Sequence, residues 1–201
     1  AAGDYLTLAL NNAGTLNYTG NGLWTTYWGA PTMTNSGTFN ISGGNWSLQN
    51  PLTNTGTINL PAARTLFVNA ALNLNAGTSI TGGGLIHQQG GTITQAIPWT
   101  NTTHQIRIDN GTWNNTSSSP LTFDNGSAFT WQGGTLTGAQ GFVIANPITA
   151  TISTNGHNLN STFTNNGTLN WSGGTINGSG NFQNTSGAVF NINFILADQL
   201  Q

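Results

Sequence analysis

The sequence predicts an all-β protein wound into a parallel β-helix (β-solenoid), with coils of about 20 residues. Three observations predict this class: the composition, an internal repeat and a strict alternation inside the repeat. Glu and Lys, which helices favour, are both missing from the 201 residues. Asn, Thr, Ser and Gly supply the polar character instead, and these residues suit turns and β-ladders.

The repeat joins a turn to a strand. The segment NNGTLNWSGGTI at 165–176 resembles NSGTFNISGGNW at 35–46 and, with one extra residue, DNGSAFTWQGGTL at 124–136. Such a unit is too short for a propeller blade and lacks the helix of a leucine-rich repeat, so a β-helix coil remains. Its glycines supply turns, some with positive φ. They are Gly14, Gly37, Gly56, Gly77, Gly91, Gly111, Gly126, Gly167 and Gly187.

Apolar and polar residues alternate within each copy, as in a strand with one buried face. Examples are Phe39-Asn40-Ile41 and Leu169-Asn170-Trp171. Trp131 and Trp171 occupy the slot of Ile41, so we expect them in the core. Outward asparagines are expected to form amide ladders between coils, at Asn17, Asn40, Asn59, Asn114 and Asn170.

The repeats cover nearly the whole chain, so we predict a single domain over 1–201. Two stretches depart from the pattern, near 96–108 and 116–120, and are expected to leave the rod as loops. The chain begins Ala1-Ala2-Gly3, which is typical of a mature chain after signal removal or of an excised segment. No apolar run approaches about 18 residues, so no membrane insertion is expected.

The surface is expected to be polar but almost uncharged, with a net charge of −2. Its two cations cannot neutralise many phosphates, so we expect neither nucleic acid nor an anionic membrane as a partner. With no Cys and three scattered His, we also expect no metal site and no cofactor. His87 and His157 are expected at the surface. The charged residues are Asp4, Arg64, Arg107, Asp109, Asp124 and Asp198.

The recurring NxGTLN followed by SGGTI resembles the repeats of secreted bacterial β-solenoid proteins, particularly filamentous-haemagglutinin-like and autotransporter passenger regions. The resemblance implies a right-handed parallel β-helix outside the cell, acting in adhesion, as a stalk or as fibre material. It brings no active-site residues with it. The calcium-binding nonapeptide repeat GGxGxDx is missing, which sets that branch of solenoids aside.

A polysaccharide-active enzyme is the third and least favoured hypothesis. It would need paired carboxylates that converge in a groove. Asp109 and Asp124 are the nearest acidic pair in sequence, and His104, Arg107 and Asp109 form the one charged cluster. We expect these residues to be solvated loop polars with a local ion pair, and we predict a protein that is not an enzyme.

A binding module for glycans or ice is the second hypothesis. Trp24, Trp28 and Trp99 lie outside the clean alternation, which makes them candidates for exposed aromatic contacts with sugars. Outward Thr-x-Thr and Thr-x-Asn pairs, such as Thr15/Asn17, could order water on a flat face, although an ordinary solenoid surface explains them better.

Apolar, strand-like ends lead to the first hypothesis. Because open coils expose strand edges that recruit other chains, we expect copies stacked head to tail, with a slice of a longer solenoid as the rival explanation. The expected function is a non-catalytic extracellular fibre subunit or adhesin stalk, with glycans and host or biofilm surfaces as further possible partners. The candidate contact residues are Tyr5, Leu6, Leu8, Leu10, Phe190, Ile192, Phe194, Ile195 and Leu196.

Overall fold

A computed structural model describes residues 5–6, 8–26, 31–154 and 156–193, and every regular element in this part of the chain is a β-strand. The predicted all-β parallel β-solenoid is confirmed, with about 8 coils of roughly 21 residues. The described residues contain no helix that could cross a bilayer.

Each coil crosses three faces in turn. The first face is sheet A, whose strands are β1 (Tyr5–Leu6), β4 (Leu23–Thr26), β7 (Asn45–Leu48), β10 (Thr65–Val68), β13 (Leu85–Gln88), β16 (Gln105–Ile108), β19 (Ala128–Trp131), β22 (Thr149–Ile152), β25 (Thr168–Trp171) and β28 (Val189–Ile192). The second face is sheet B, with β2 (Asn11–Asn12), β5 (Met33–Asn35), β8 (Leu52–Asn54), β11 (Leu72–Leu74), β14 (Thr92–Gln95), β17 (Thr112–Asn115), β20 (Gly134–Thr137), β23 (His157–Asn160) and β26 (Ile176–Asn177).

The third face divides along the rod into two sheets. Sheet C contains β3 (Thr15–Tyr18), β6 (Thr38–Ile41), β9 (Thr57–Leu60) and β12 (Ser79–Gly82). Sheet D contains β15 (Trp99–Asn101), β18 (Leu121–Phe123), β21 (Phe142–Ile144), β24 (Thr162–Asn165) and β27 (Asn181–Asn184). Every strand pair in all four sheets is parallel, because each strand returns to the same face one coil later.

Alternate side chains of each strand fill the inside of the rod. In β6, Phe39 and Ile41 are buried while their neighbours Thr38 and Asn40 are only partly so. Each fully buried apolar side chain of this size contributes about 1.5–3 kcal/mol relative to an exposed one. Trp131 is buried as predicted, whereas Trp171 is half-buried and stacks on Phe190 near the last coils.

A second asparagine ladder runs inside the corner between sheets B and C, where the sequence pattern did not reveal it. Asn12 donates to Asn35 (2.7 Å), and Asn35 donates to Asn54 (2.6 Å). The Asn35 amide also donates to the Thr57 carbonyl of the next coil at 3.1 Å. Each of these asparagines is the first residue of an Asn-x-Gly-Thr turn. The asparagine of the repeat therefore joins neighbouring coils through its side-chain amide.

The glycine of the same turn is required by the close approach of neighbouring coils. A Cβ at Gly37 would collide with the Gly14 carbonyl oxygen of the coil before it. Gly111, at the corner between sheets A and B, has φ of 88°, a backbone conformation that only glycine adopts easily. The marker glycines are thus needed either for close approach of the coils or for a positive φ, and the sequence predicted only the positive φ.

The predicted outer ladder is confirmed in part. Asn40 donates to Asn17 at 2.7 Å, and Asn59 donates to Asn40 at 3.2 Å, so these three form a ladder on sheet C. Asn170 accepts from Asn191 on sheet A at 2.8 Å. Asn114 belongs to neither, because it lies on sheet B between Thr94 and Thr137.

The two predicted loop excursions differ in outcome. Residues 96–108 stay in the rod, because β15 and β16 lie there and pair in register with strands of neighbouring coils. The repeat is not recognisable in the sequence of residues 96–108, because Asn101 and His104 form this corner in place of an Asn-x-Gly turn. Residues 116–120 do form a corner without strands. The Asn115 side-chain amide donates to the Ser119 carbonyl at 3.0 Å and holds this corner against the rod.

The buried ladder can be tested with a single substitution. Asn35→Ala removes the hydrogen bonds that Asn35 makes with Asn12, Asn54 and the Thr57 carbonyl, and Asn54 Oδ1 loses its Asn35 donor inside the corner. We expect it to lower the free energy of unfolding by about 2–4 kcal/mol, measured by urea denaturation.

Asn40→Ala is the matched control, because it removes the middle of the outer ladder, where water replaces the lost bonds. We expect it to cost less than about 1 kcal/mol. Equal losses for the two variants would contradict a special role for the buried ladder.

Candidate functional site

The acidic pair suggested by the sequence does not converge. Asp109 directly follows β16, at the corner where sheet A leads into sheet B, whereas Asp124 precedes β19, at the opposite end of the sheet A strands. Asp124 is engaged locally, because its Oδ1 accepts the backbone N–H of Asn125 at 2.8 Å. The two carboxylates therefore do not share a groove.

Asp109 belongs instead to a cluster on the outside of sheet A. Arg107 donates from Nε to Asp109 Oδ1 (2.6 Å) and from Nη2 to Asp109 Oδ2 (3.0 Å). Arg107 Nη2 also donates to Gln132 Oε1 of the next coil at 2.7 Å. His87 Nε2, from the coil before, lies 2.8 Å from Asp109 Oδ2. The Asp109 carboxylate thus binds Arg107 of its own coil and His87 of the coil before, and the Arg107 guanidinium binds Gln132 of the coil after.

An aromatic ring completes this group. The Phe67 ring lies 5.4 Å from the His87 ring, centroid to centroid, and is half-buried on the outward side of its strand. Phe67, His87 and Arg107 are direct partners in successive coils of sheet A. We name Phe67, His87, Arg107, Asp109 and Gln132 the sheet A cluster.

The charges of the cluster stabilise one another. Partial burial raises the pKa of Asp109, but hydrogen bonds from Arg107 and His87 outweigh this effect, so its pKa lies below the ordinary value. The hydrogen bond to Asp109 in turn raises the pKa of Arg107. Both groups are charged at neutral pH, and their charges cancel.

The sequence grouped His104 with Arg107 and Asp109, which is wrong. His104 is buried, and its ring lies inside the corner between the third face and sheet A. Its Nδ1 is 3.3 Å from the Gly84 carbonyl, and its Nε2 is 3.4 Å from the Ile80 carbonyl. Ile80 belongs to β12, the last strand of sheet C, so the ring contacts the sheet edge at which backbone pairing along this face stops.

The expectation that His87 and His157 lie at the surface is also wrong. His157 is 1% exposed, with its ring 4.8 Å from that of Trp131 and its Nε2 3.0 Å from the Trp131 carbonyl. It falls at the start of β23, where the register directs it into the core. His87 does point outward, but Phe67 and Asp109 cover it to 8% exposure.

The tryptophans chosen as exposed contacts pack against the core. Trp24 stacks on Trp46 at 5.5 Å, and Trp99 lies 6.2 Å from Trp113. Both occupy inward positions, since the register of β4 and β15 pairs Trp24 with Trp46 and Trp99 with the buried Leu121. Trp28 lies outside the described residues.

The candidate contact residues at the chain ends are only partly described. Leu8 is 71% exposed and Ile192 is 56% exposed, whereas Leu10 and Phe190 pack against the core. Tyr5 and Leu6 form β1, which pairs with β4. Phe194, Ile195 and Leu196 lie outside the described residues.

The outward Thr and Asn pairs do not form one array. Thr15/Asn17 and its equivalents Thr38/Asn40 and Thr57/Asn59 align on sheet C, whereas Thr92/Thr94 and Thr135/Thr137 lie on sheet B and Thr168/Asn170 on sheet A. On sheet C the amides are already bonded to each other. The outward Thr and Asn pairs that were considered for ordering water are therefore distributed over three faces and form no single flat array.

The sequence missed Phe67, His87 and Gln132 as parts of one site. A signal was present, because Phe67, His87 and Arg107 follow one another at intervals of 20 residues. Within residues 5–6, 8–26, 31–154 and 156–193, no group of three or more His, Cys, Asp or Glu side chains could hold a metal ion.

Comparisons of the chain with known proteins give no match to any protein family, curated protein or solved structure.

Burial lowers the pKa of His104 and of His157, although backbone hydrogen bonds partly oppose this effect. The folded chain therefore favours neutral rings, and the stability that they contribute is complete above the ordinary value of 6.5 and is lost as the pH falls below it. We expect the urea concentration at the unfolding midpoint to decrease as the pH is lowered from 7.5 to about 5. The decrease should be smaller in the His157→Gln variant, which has one buried imidazole fewer.

His87→Gln is the control, because it leaves both buried rings in place and should keep the fall of the midpoint. A midpoint that stays constant over this range, or equal slopes in wild type and His157→Gln, would contradict the assignment.

Proposed function

We propose that the chain is a rigid structural segment of an extracellular filament or stalk, in which further coils or further copies continue the rod. The observation that carries the proposal is the unbroken parallel ladder on two faces, from β1 to β28 on sheet A and from β2 to β26 on sheet B. Such a rod acts through its length and stiffness, since every coil is bonded to the next along the axis.

Stacked side chains add to the stiffness along the axis. The rings of Trp24 and Trp46 stack at 5.5 Å, and those of Trp171 and Phe190 at 6.2 Å with nearly parallel planes. The asparagine ladders join the same coils from inside the corner and from outside the sheet. Bending the rod would stretch the backbone bonds, the ring stacks and the amide bonds together.

The nearly neutral surface also supports a structural role. Six charged side chains and a net charge of −2 produce little repulsion between copies, so rods can approach each other closely. Neutral amides and hydroxyls bind through hydrogen bonds, which salt screens much less than charge pairs. The resemblance of the repeats to those of secreted solenoids supports an extracellular location.

The proposal includes head-to-tail contact between copies. Among the described residues, β28 pairs with β25 alone and β3 pairs with β6 alone, so each has one free edge. Ile192 of β28 is 56% exposed although its register partner is the half-buried Trp171. A further coil at this end would cover Ile192, whether it comes from a longer chain or from a second copy.

Electron microscopy and sedimentation test the head-to-tail contact. We expect rods that lengthen with protein concentration in steps of about 40 Å, which is eight coils at about 4.8 Å each. Ile192→Lys should weaken this association by at least about tenfold, because the ammonium group would lose its water in the contact.

Thr151→Lys is the matched control, since it places the same charge on the side of sheet A in the middle of the rod. It should leave the association unchanged. Single rods of constant length at every concentration, or equal effects of the two lysines, would contradict head-to-tail assembly.

A further inference from the structure

The outer surface of sheet A around the cluster differs from the other outer surfaces of the rod. Sheets B and C present mainly Thr and Asn, whereas sheet A presents an aromatic ring, an imidazole and a guanidinium in register. Planar amide side chains directly follow four strands of sheet A near this column, namely β7, β10, β13 and β19. They are Gln49, Asn69, Gln89 and Gln132.

The guanidinium is held in place but keeps free donors. Arg107 uses Nε and Nη2 for Asp109 and Gln132, while its Nη1 has no protein partner among the described residues. The side chain is 40% exposed, so this edge faces solvent. Because three bonds fix the planar group, a ligand that binds it causes little further loss of rotamer freedom.

The neighbouring amides offer both donors and acceptors. Gln132 accepts from Arg107 through Oε1, which leaves its Nε2 as a donor. Gln49 and Asn69 both donate to Ser47, at 2.8 and 3.3 Å, and this leaves their carbonyl oxygens as acceptors. Hydroxyl groups, which donate and accept at once, match such a mixed set.

Phe67 supplies an apolar surface beside these groups. Its ring is half-buried and is supported from one side by the His87 ring at 5.4 Å. Outward positions of strands normally carry polar side chains, so an aromatic ring here has no role in the core. An aromatic face next to fixed planar polar groups fits a sugar ring, which has apolar C–H faces and polar edges.

We propose that this surface binds a neutral polysaccharide that lies along the rod axis, with one sugar over Phe67 and the hydroxyl groups of later sugars on Arg107 and Gln132. Coils are about 4.8 Å apart, which is close to the length of one pyranose unit, so Phe67 and Arg107 lie about two sugars apart. The polysaccharide is neutral because Arg107 and Asp109 cancel each other's charge. The binding adds a ligand to the structural role and does not depend on head-to-tail assembly.

Affinity electrophoresis and calorimetry with the purified chain test the proposal. The probes are xylan, mannan, galactan and a soluble β-glucan, with polygalacturonate as the charged polymer. We expect at least one neutral polymer to bind. Phe67→Leu, which keeps His87 covered but removes the aromatic face, should weaken that binding by about tenfold, and Gln132→Ala should weaken it in the same direction.

Val143→Ala is the matched control, since it changes an outward apolar side chain on sheet D between Thr122 and Thr164. It should leave binding unchanged. Urea midpoints of all variants separate lost binding from lost folding. The proposal is overturned if no neutral polymer binds, if binding survives both Phe67→Leu and Gln132→Ala, or if only polygalacturonate binds and salt abolishes it.

Discussion

Backbone pairing along the axis constrains every coil to follow nearly the same path as the coil before it. At the corner between sheets B and C this path brings neighbouring backbones so close that Gly37 has no room for a side chain. The same corner buries Asn35, whose amide bonds to the asparagines above and below. The Asn-x-Gly-Thr turns that begin at Asn12, Asn35 and Asn54 therefore fit the close stacking of coils at this corner.

The constraint acts on each face separately. Sheets A and B run through the described rod, while the third face changes from sheet C to sheet D between β12 and β15. Here the His104 ring contacts the Ile80 carbonyl at the sheet edge, and Asn101 closes the corner through the His104 backbone. Extra residues are absorbed at such corners, as at 116–120, so unequal coils still stack in register elsewhere.

Stiffness and recognition are compatible in this arrangement. The sheet A cluster takes its residues from neighbouring coils, so the separation of Phe67, His87 and Arg107 is fixed by the backbone ladder. A site built on strands keeps its geometry better than a site on loops. The features that support a structural rod therefore also hold the proposed sugar-binding groups at constant spacing.

The sequence by itself determined the coil, the strand pattern and most of the core, because alternation and turn letters are local properties of the chain. Phe39, Ile41 and Trp131 are buried as their alternation predicts. It also indicated the outer ladder of Asn17, Asn40 and Asn59.

Only the tertiary structure decided which face each strand occupies and which side chains meet across coils. The partners of Asp109 are the clearest case: His87 lies 22 residues away and Gln132 enters through Arg107, while the nearer His104 faces the interior. Trp24 and Trp99 likewise pack against the core, because the register of their strands places them on the inward side. Contacts between coils depend on corner lengths, which shift the register by a residue or two, and a local pattern does not carry that information.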